Sequence, residues 1–175
     1  GAALSRNETD VRLQGPEASC RLAGVTLLRG RQHGDSTTRV EHATVRATSH
    51  QEFRAVVDGE AHAVFQGRIR VAPDAQKSDA RLTTRGLLLS ETAQADAKPE
   101  LEILADDVQC SHGAAIGDLD RAALFYLRAR GISESEARAM LIEAFAGEAL
   151  AAIACAPVRD HLTAAFARWL EAGHV

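Results

Sequence analysis

The sequence predicts a mainly β protein that ends in a small helical region, and two observations support this division. From about Thr9 to Ser111, short stretches alternate apolar and polar residues, as in Gly67-Arg68-Ile69-Arg70-Val71, which is typical of half-buried strands. After Asp118 the apolar residues instead recur at steps of three and four, the spacing of amphipathic helices. We therefore expect a β region over residues 1–117 and a helical region over residues 118–175.

The β region contains several short candidate strands separated by turn-forming residues. The candidates are Val11–Leu13, Cys20–Leu22, Val25–Leu28, Arg39–Val45, Phe53–Val57, Ala63–Phe65, Arg68–Val71, Gly86–Leu89 and Leu101–Leu104. Dipeptides such as Asp58-Gly59 and Pro73-Asp74 lie between them and favour turns. No stretch of helical period interrupts the region, which disfavours a doubly wound α/β fold. The pattern leaves a sandwich, a barrel and a parallel β-helix open.

The helical region contains three candidate helices with recognisable ends. Asp118 is a candidate cap for the first helix, which we expect to end at Gly131. Ser133 and Glu136 have the spacing of a capping box, in which each side chain bonds a free backbone amide near the other residue. Pro157 suits the first turn of the third helix.

Composition excludes several classes of protein. The chain has 175 residues, of which 46% are hydrophobic and 25% charged, with a net charge of −4, which is typical of a folded globular protein. The mild acidity argues against non-specific nucleic-acid binding. No apolar run approaches the ~20 residues that a membrane-spanning helix needs. The three cysteines Cys20, Cys110 and Cys155 form no C-x-x-C pair, so we expect a reducing, cytoplasmic location rather than a disulfide framework.

The segment Ala105–Gly113 is the most chemically loaded part of the sequence. In an extended strand Cys110 and His112 share one face, and a thiolate beside an imidazole is a competent ligand pair for a soft or borderline metal ion. Two ligands do not complete a metal shell, so the pair suggests an interface at which a partner supplies the rest. The alternative is a buried cysteine beside a hydrogen-bonded histidine, which residue types alone favour. A third possibility, Cys110 as an enzyme nucleophile, is disfavoured because two side chains projecting in parallel do not converge on a substrate.

Other candidate sites are weaker. His33 and His42 flank a charged stretch and could ligate a metal ion, although a solvated loop is the more common explanation. The chain has no Gly-rich phosphate loop, no G-x-S-x-G and no H-E-x-x-H motif. The sequence therefore does not predict nucleotide hydrolysis by this chain.

A series of motifs in a fixed order resembles the SufB/SufD family of iron–sulfur cluster assembly proteins. The motifs are Phe65-Gln66-Gly67-Arg68-Ile69, Ala75–Ala80, Leu87-Leu88-Leu89-Ser90, Lys98–Ile103, Ala105–Ala114 and Leu124–Ile132. The Lys98–Ile103 and Asp106–Gly113 runs resemble the SufD branch, in its C-terminal part. Because family members are longer, the resemblance also implies that this chain is a fragment without the N-terminal region.

The resemblance implies a right-handed parallel β-helix followed by a small helical domain, and a scaffold role without catalysis. It implies that Cys110 and His112 handle a transient iron ion or iron–sulfur cluster at an interface with SufB, with no tightly bound cofactor. It also implies that the helical domain docks the SufC ATPase, through residues that include Phe125, Tyr126, Arg128, Arg130 and Ile132. Without SufB, we expect the exposed β surface to drive self-association into a homodimer.

Overall fold

The computed structural model describes residues 2–173, so Gly1, His174 and Val175, at the ends of the two predicted regions, lie outside it. The strands are β1 (Leu4–Leu13), β2 (Ser19–Leu28), β3 (His33–His42), β4 (Thr48–Val57), β5 (His62–Val71), β6 (Asp79–Leu88), β7 (Gln94–Ile103) and β8 (Gln109–Asp118). The helices are α1 (Arg121–Ala129), α2 (Glu134–Ala151) and α3 (Ala156–Glu171).

The strands form two parallel sheets that wind into a solenoid of about four turns. Sheet A contains β1, β3, β5 and β7 in that order, and sheet B contains β2, β4, β6 and β8. The chain alternates between the sheets, so that each coil contributes one strand to each. Successive coils stack in register, for example His33 opposite His62 and His62 opposite Gln94. This stacking confirms the parallel β-helix followed by a helical region.

The corners between β-strands repeat from coil to coil. Glu17, Arg46 and Lys77 occupy equivalent corners and all have positive φ angles. The Arg46 amide donates to the Gln76 carbonyl and the Lys77 amide to the Asp107 carbonyl, so each corner is hydrogen-bonded to the next. These bonds satisfy backbone groups that would otherwise be unpaired, which allows short turns to close every coil.

The interior of the solenoid is mainly apolar, and the second coil adds buried polar side chains that pair with one another. Ile69, Val71 and Leu82 are almost fully buried in the largest interior cluster. In the second coil, the His42 Nε2 atom lies 2.8 Å from Ser49 Oγ, and Thr38 Oγ1 donates to Gln51 Oε1 at 2.8 Å. Burial lowers the pKa of His42 below its ordinary value, although the negative charge of Asp79 partly opposes this shift.

The outer faces of the two sheets differ. On sheet A, Arg12, Glu41, Arg70 and Glu102 occupy equivalent positions in successive coils, so charge alternates along the solenoid. Neighbours pair directly, with Arg12 to Glu41 at 3.0 Å and Arg70 to Glu41 at 2.6 Å. Sheet B instead carries apolar residues outward beneath the helices, where Val56 and Leu87 pack with Ile142, Ala146 and Phe166.

Two arginines attach the helices to the solenoid. Arg54 on β4 is 4% exposed and forms ion pairs with Glu52, at 2.9 Å, and with Glu148 on α2. Its guanidinium also lies 5.0 Å from the centroid of the Phe145 ring. Arg29, after β2, donates to the carbonyl of Trp169 on α3, and its guanidinium lies 4.1 Å from the centroid of that indole ring.

Several predicted boundaries were wrong. The expected strands Cys20–Leu22 and Val25–Leu28 are one strand, β2, as are Ala63–Phe65 and Arg68–Val71 in β5, and the strand expected to reach Val45 ends at His42. Asp118 does not cap α1, because it is the last residue of β8. The cap is Asp120, whose carboxylate accepts from the amides of Ala122 and Ala123.

The helix-end signals further along were confirmed. Gly131 follows α1 with a φ of 87°, a conformation that favours glycine. Ser133 and Glu136 form the capping box of α2, and Pro157 lies in the first turn of α3.

Candidate functional site

Cys110 and His112 lie at the end of the solenoid that is formed by β7 and β8, which we call the open end. They occupy β8, the last strand of sheet B, opposite Ala80 and Leu82 of β6. Ala80 and Leu82 are 0% and 1% exposed and point into the solenoid, so Cys110 and His112 lie on the same inward-facing side of their own strand. The prediction that the two side chains share a face is therefore consistent with the register of β8.

The surroundings of the two side chains differ. Cys110 is half-buried and packs against the interior cluster that contains Leu82. Burial, and secondarily the negative charge of Asp79, raise the pKa of the Cys110 thiol, while a hydrogen bond with the Ala80 backbone opposes the shift. A raised pKa keeps the free thiol protonated at neutral pH, which is opposite to what an activated nucleophile requires. His112 is exposed.

The open end also has an apolar border, formed by exposed apolar side chains of β7, of β8 and of the corner between them. Ile103 and Leu104 are 42% and 47% exposed, and Ile116 on β8 is 44% exposed. Within residues 2–173, no three histidine, cysteine, aspartate or glutamate side chains are grouped so as to hold a metal ion. The free edge of β8 has no neighbouring strand among the described residues. The open end thus combines two potential metal ligands, an apolar border and an unpaired strand edge.

The other candidate ligands are dispersed. Cys20 lies half-buried on β2 near the opposite end of the solenoid, and Cys155 is exposed just before α3. The structure separates His33 from His42, because His42 points into the interior of β3 whereas His33 lies on the outer face of sheet A. The favoured explanation, a solvated loop, was therefore wrong, because His33–His42 is strand β3, and the two histidines do not share one metal site.

The helical residues implied to bind a partner lie around the α1–α2 turn. Phe125 and Tyr126 on α1 are 74% and 57% exposed. Arg128 pairs with Glu134 at 3.2 Å, and Arg130 donates to Tyr126 Oη at 2.8 Å. Ile132 is half-buried in the turn, where it lines an open groove with Phe125, Arg128 and Glu134. These residues form a surface with an exposed aromatic centre and two arginines that are already partnered within the chain.

Sequence reasoning missed the apolar border of the open end and the effect of Asp79 on Cys110. Ile103 and Leu104 were part of an expected strand, and their exposure depends on that strand belonging to the last coil. Asp79 is far from Cys110 in sequence, and the two become neighbours because Asp79 lies opposite Gln109 in the β6–β8 ladder. The spacing of one coil, about 30 residues in this chain, was the signal that could have revealed such neighbours.

No helix in the described part of the chain is both long enough and apolar enough to cross a membrane.

The fold and the site together define a parallel β-solenoid protein with a Cys/His pair at its open end and a helical region packed on one sheet. The family model described as "SUF system FeS cluster assembly, SufBD core domain" matches residues 1–145. The chain therefore belongs to the SufBD family of iron–sulfur cluster assembly proteins.

Named relatives agree with this assignment. The chain is 36% identical over 173 residues to the iron–sulfur cluster assembly protein SufD of Escherichia coli, covering 99% of this chain and 41% of that protein. It is 39% identical over 162 residues to a SufBD family iron–sulfur cluster assembly protein of Synechocystis, covering 93% of this chain and 36% of the relative. A chloroplastic Arabidopsis protein, ABCI7, is 37% identical over 161 residues, covering 91% and 34%. The chain thus spans less than half the length of these relatives.

Proposed function

We propose that this chain acts as a non-catalytic scaffold in iron–sulfur cluster assembly, and that Cys110 and His112 together bind iron or a nascent cluster transiently. The observation that carries the proposal is the position of the pair, inward-facing on the last strand of an open solenoid end. A thiolate and an imidazole suit iron and iron–sulfur species. Two ligands hold such cargo weakly, which suits a protein that must pass it on.

The missing ligands come from a partner chain at the open end, and the partner we propose is SufB. An unpaired parallel strand offers a row of backbone donors and acceptors that a second chain can continue. The exposed side chains of Ile103, Leu104 and Ile116 add apolar area that a partner would cover. Exclusion of water from this border would also strengthen the bonds between the metal ion and its ligands.

The helical region provides the second proposed interface, with the SufC ATPase. Phe125 is the natural anchor, because a 74% exposed aromatic ring gains most from burial in a partner's pocket. Arg128 and Arg130 have internal partners, Glu134 and Tyr126, so they contribute mainly to the charged rim. We also propose a cytoplasmic location, since the three cysteines are free thiols.

The cluster proposal is tested by removing both ligands. In a complex reconstituted with SufB and SufC, Cys110→Ala combined with His112→Ala should lower the yield of assembled cluster while the complex keeps its mass in ultracentrifugation. Cys155→Ala combined with His161→Ala is the matched control, because it removes an exposed thiol and an exposed imidazole at α3. An unchanged cluster yield in the Cys110/His112 double variant would reject the site.

The docking proposal is tested by calorimetry, in which SufC is titrated into the chain paired with SufB alone. Phe125→Ala should weaken SufC binding by at least about tenfold, and charge reversal at Arg128 or Arg130 should weaken it less. Val158→Ala on α3, at a residue that is 48% exposed, is the control and should leave SufC binding unchanged. Equal SufC affinity of the Phe125 variant and the parent complex would show that the α1–α2 surface is not the docking site.

A purely structural interaction module is the second candidate function, and the half-buried packing of Cys110 against Leu82 favours it. Iron titration of the complex distinguishes the two, because a structural pair leaves iron binding unchanged when it is replaced. The third possibility, a cysteine-dependent enzyme, is the least favoured, since the raised pKa of Cys110 opposes thiolate formation.

In the absence of SufB, the free β8 edge should pair with a second copy of the chain. A monomer at high concentration in ultracentrifugation would count against that self-association.

A further inference from the structure

Two histidines that are 29 positions apart meet on the outer face of sheet A. His33 begins β3 and His62 begins β5, and the ladder places them directly opposite each other. Their ring centroids lie 4.9 Å apart with the ring planes at 84°. Both side chains are half-buried, so they remain accessible from solvent. This pair lies on the opposite sheet from Cys110 and His112 and takes no part in the proposed scaffold site.

The separation of the rings suits two imidazoles bound to one metal ion. A ring centroid lies about 1.1 Å behind a nitrogen that is about 2.1 Å from the metal, which places each centroid about 3.2 Å from it. Two such rings at angles between octahedral and tetrahedral have centroids about 4.5 to 5.2 Å apart. The observed 4.9 Å lies within this interval. The present edge-to-face orientation changes by rotation of the His33 ring about its adjacent side-chain torsion, which is broad for histidine, while His62 keeps its orientation.

A carboxylate already orients one of the rings. His62 Nε2 lies 2.7 Å from Asp96 Oδ2, across the β5–β7 ladder. This bond leaves the other nitrogen of His62 free to bind a metal, and a carboxylate on the outer nitrogen is the usual support of a metal-bound histidine.

The arginines near the two histidines have acidic partners, and Arg31, two residues before His33, lies 3.8 Å from Glu60. Asp35 lies on the same outward face as His33, two residues further along β3. The nearby positive charge of Arg6 is balanced by Glu8, at 2.8 Å, and by Asp35, at 3.8 Å.

We propose that His33 and His62 form a surface site for a borderline divalent transition-metal ion, such as Zn²⁺ or Ni²⁺, with Asp96 orienting His62. Within residues 2–173 no three potential ligands are preassembled, so the protein supplies two imidazoles and water completes the shell. Imidazole nitrogen favours ions of this class over Mg²⁺ or Ca²⁺. Two protein ligands hold the ion weakly, so such a site binds reversibly.

The proposal is tested by titrating Zn²⁺ into the full chain in which Cys110→Ala and His112→Ala remove the competing pair. His33→Gln and His62→Gln should each weaken Zn²⁺ binding at least tenfold in calorimetry at pH 7.5. His50→Gln is the matched control, because His50 is an exposed histidine on the outer face of sheet B. It should change the affinity less than twofold.

A second measurement does not depend on any variant at positions 33 and 62. In nitrogen-15 NMR spectra of the imidazoles, Zn²⁺ should shift the signals of His33 and His62 together, and removing the Zn²⁺ with a chelator should reverse both shifts. Unmoved His33 and His62 signals at 1 mM Zn²⁺, or equal affinities of the His33, His62 and His50 variants, would overturn the proposal. Neither result bears on the cluster yield that tests Cys110 and His112, so the two proposals fail separately.

Discussion

Arg54 attaches α2 to sheet B, and its replacement should show how strongly the helical region depends on this contact. Arg54→Ala removes the ion pairs with Glu52 and Glu148 and the contact with the Phe145 ring. Breaking a fully buried pair costs about 3–5 kcal/mol. In this protein Glu148 is 62% exposed and Glu52 19%, so solvent compensates part of the loss. With about 1 kcal/mol for the arginine–aromatic contact, we expect the free energy of unfolding to fall by about 2–3 kcal/mol.

Urea unfolding followed by circular dichroism measures this change, and a loss of about 2–3 kcal/mol corresponds to a melting temperature lower by about 4–12 °C in a chain of this size. Arg54→Met combined with Glu52→Gln removes the central charge with its partner and keeps most of the buried apolar volume. This double variant should therefore lose less than Arg54→Ala alone. Arg39→Ala, at an exposed arginine on sheet A, is the control and should stay within about 0.5 kcal/mol. If Arg54→Ala behaves like Arg39→Ala, then Arg54 does not stabilise the packing of α2 on sheet B.

Three further changes have definite expected outcomes. Ser133→Ala removes the capping box and should lower the free energy of unfolding by about 1 kcal/mol in urea unfolding. Ser135→Ala is the control and should change it much less. Equal losses in the two variants would exclude the cap as the cause. Gly131→Ala forces a side chain into a φ of 87° and should cost about 1 kcal/mol, so a neutral result in the same assay would show that the turn relaxes. The pKa of His42 is lowered in the folded state, so below the ordinary value of 6.5 the unfolded chain binds a proton that the folded chain does not. The free energy of unfolding is therefore fully present above pH 6.5 and falls as the pH drops below it. His42→Gln should therefore flatten the dependence of stability on pH between 7 and 5, and an unchanged slope in urea unfolding at several pH values would contradict this explanation.

The sequence predicted the division into β and α regions and the helix ends at Gly131 and Ser133 because those signals are local. A capping box or a glycine with positive φ depends on residues within one turn. Strand boundaries were predicted less well. In β2, Val25 and Leu27 point outward yet are apolar, because the helices cover sheet B, and the expected alternation is lost there.

The part of the site that depends on local spacing was predicted, and the part that depends on the stacking of coils was not. That Cys110 and His112 share a face follows from a spacing of two in any strand. That they lie on the last strand of the solenoid, and that Ile103 of the same coil is exposed, follows only from how the coils stack. The contact between His33 and His62 also depends on a register between coils, which no short segment of sequence specifies.

The alternating charges on the outer face of sheet A restrict which amino-acid substitutions this surface accepts during evolution. Reversing the sign of Glu41 alone would place three positive groups, Arg12, residue 41 and Arg70, in one row at a spacing of about 4.8 Å. A viable reversal therefore needs compensating changes one coil away on both sides. Substitutions at these positions should be inherited as correlated sets separated by the length of a coil.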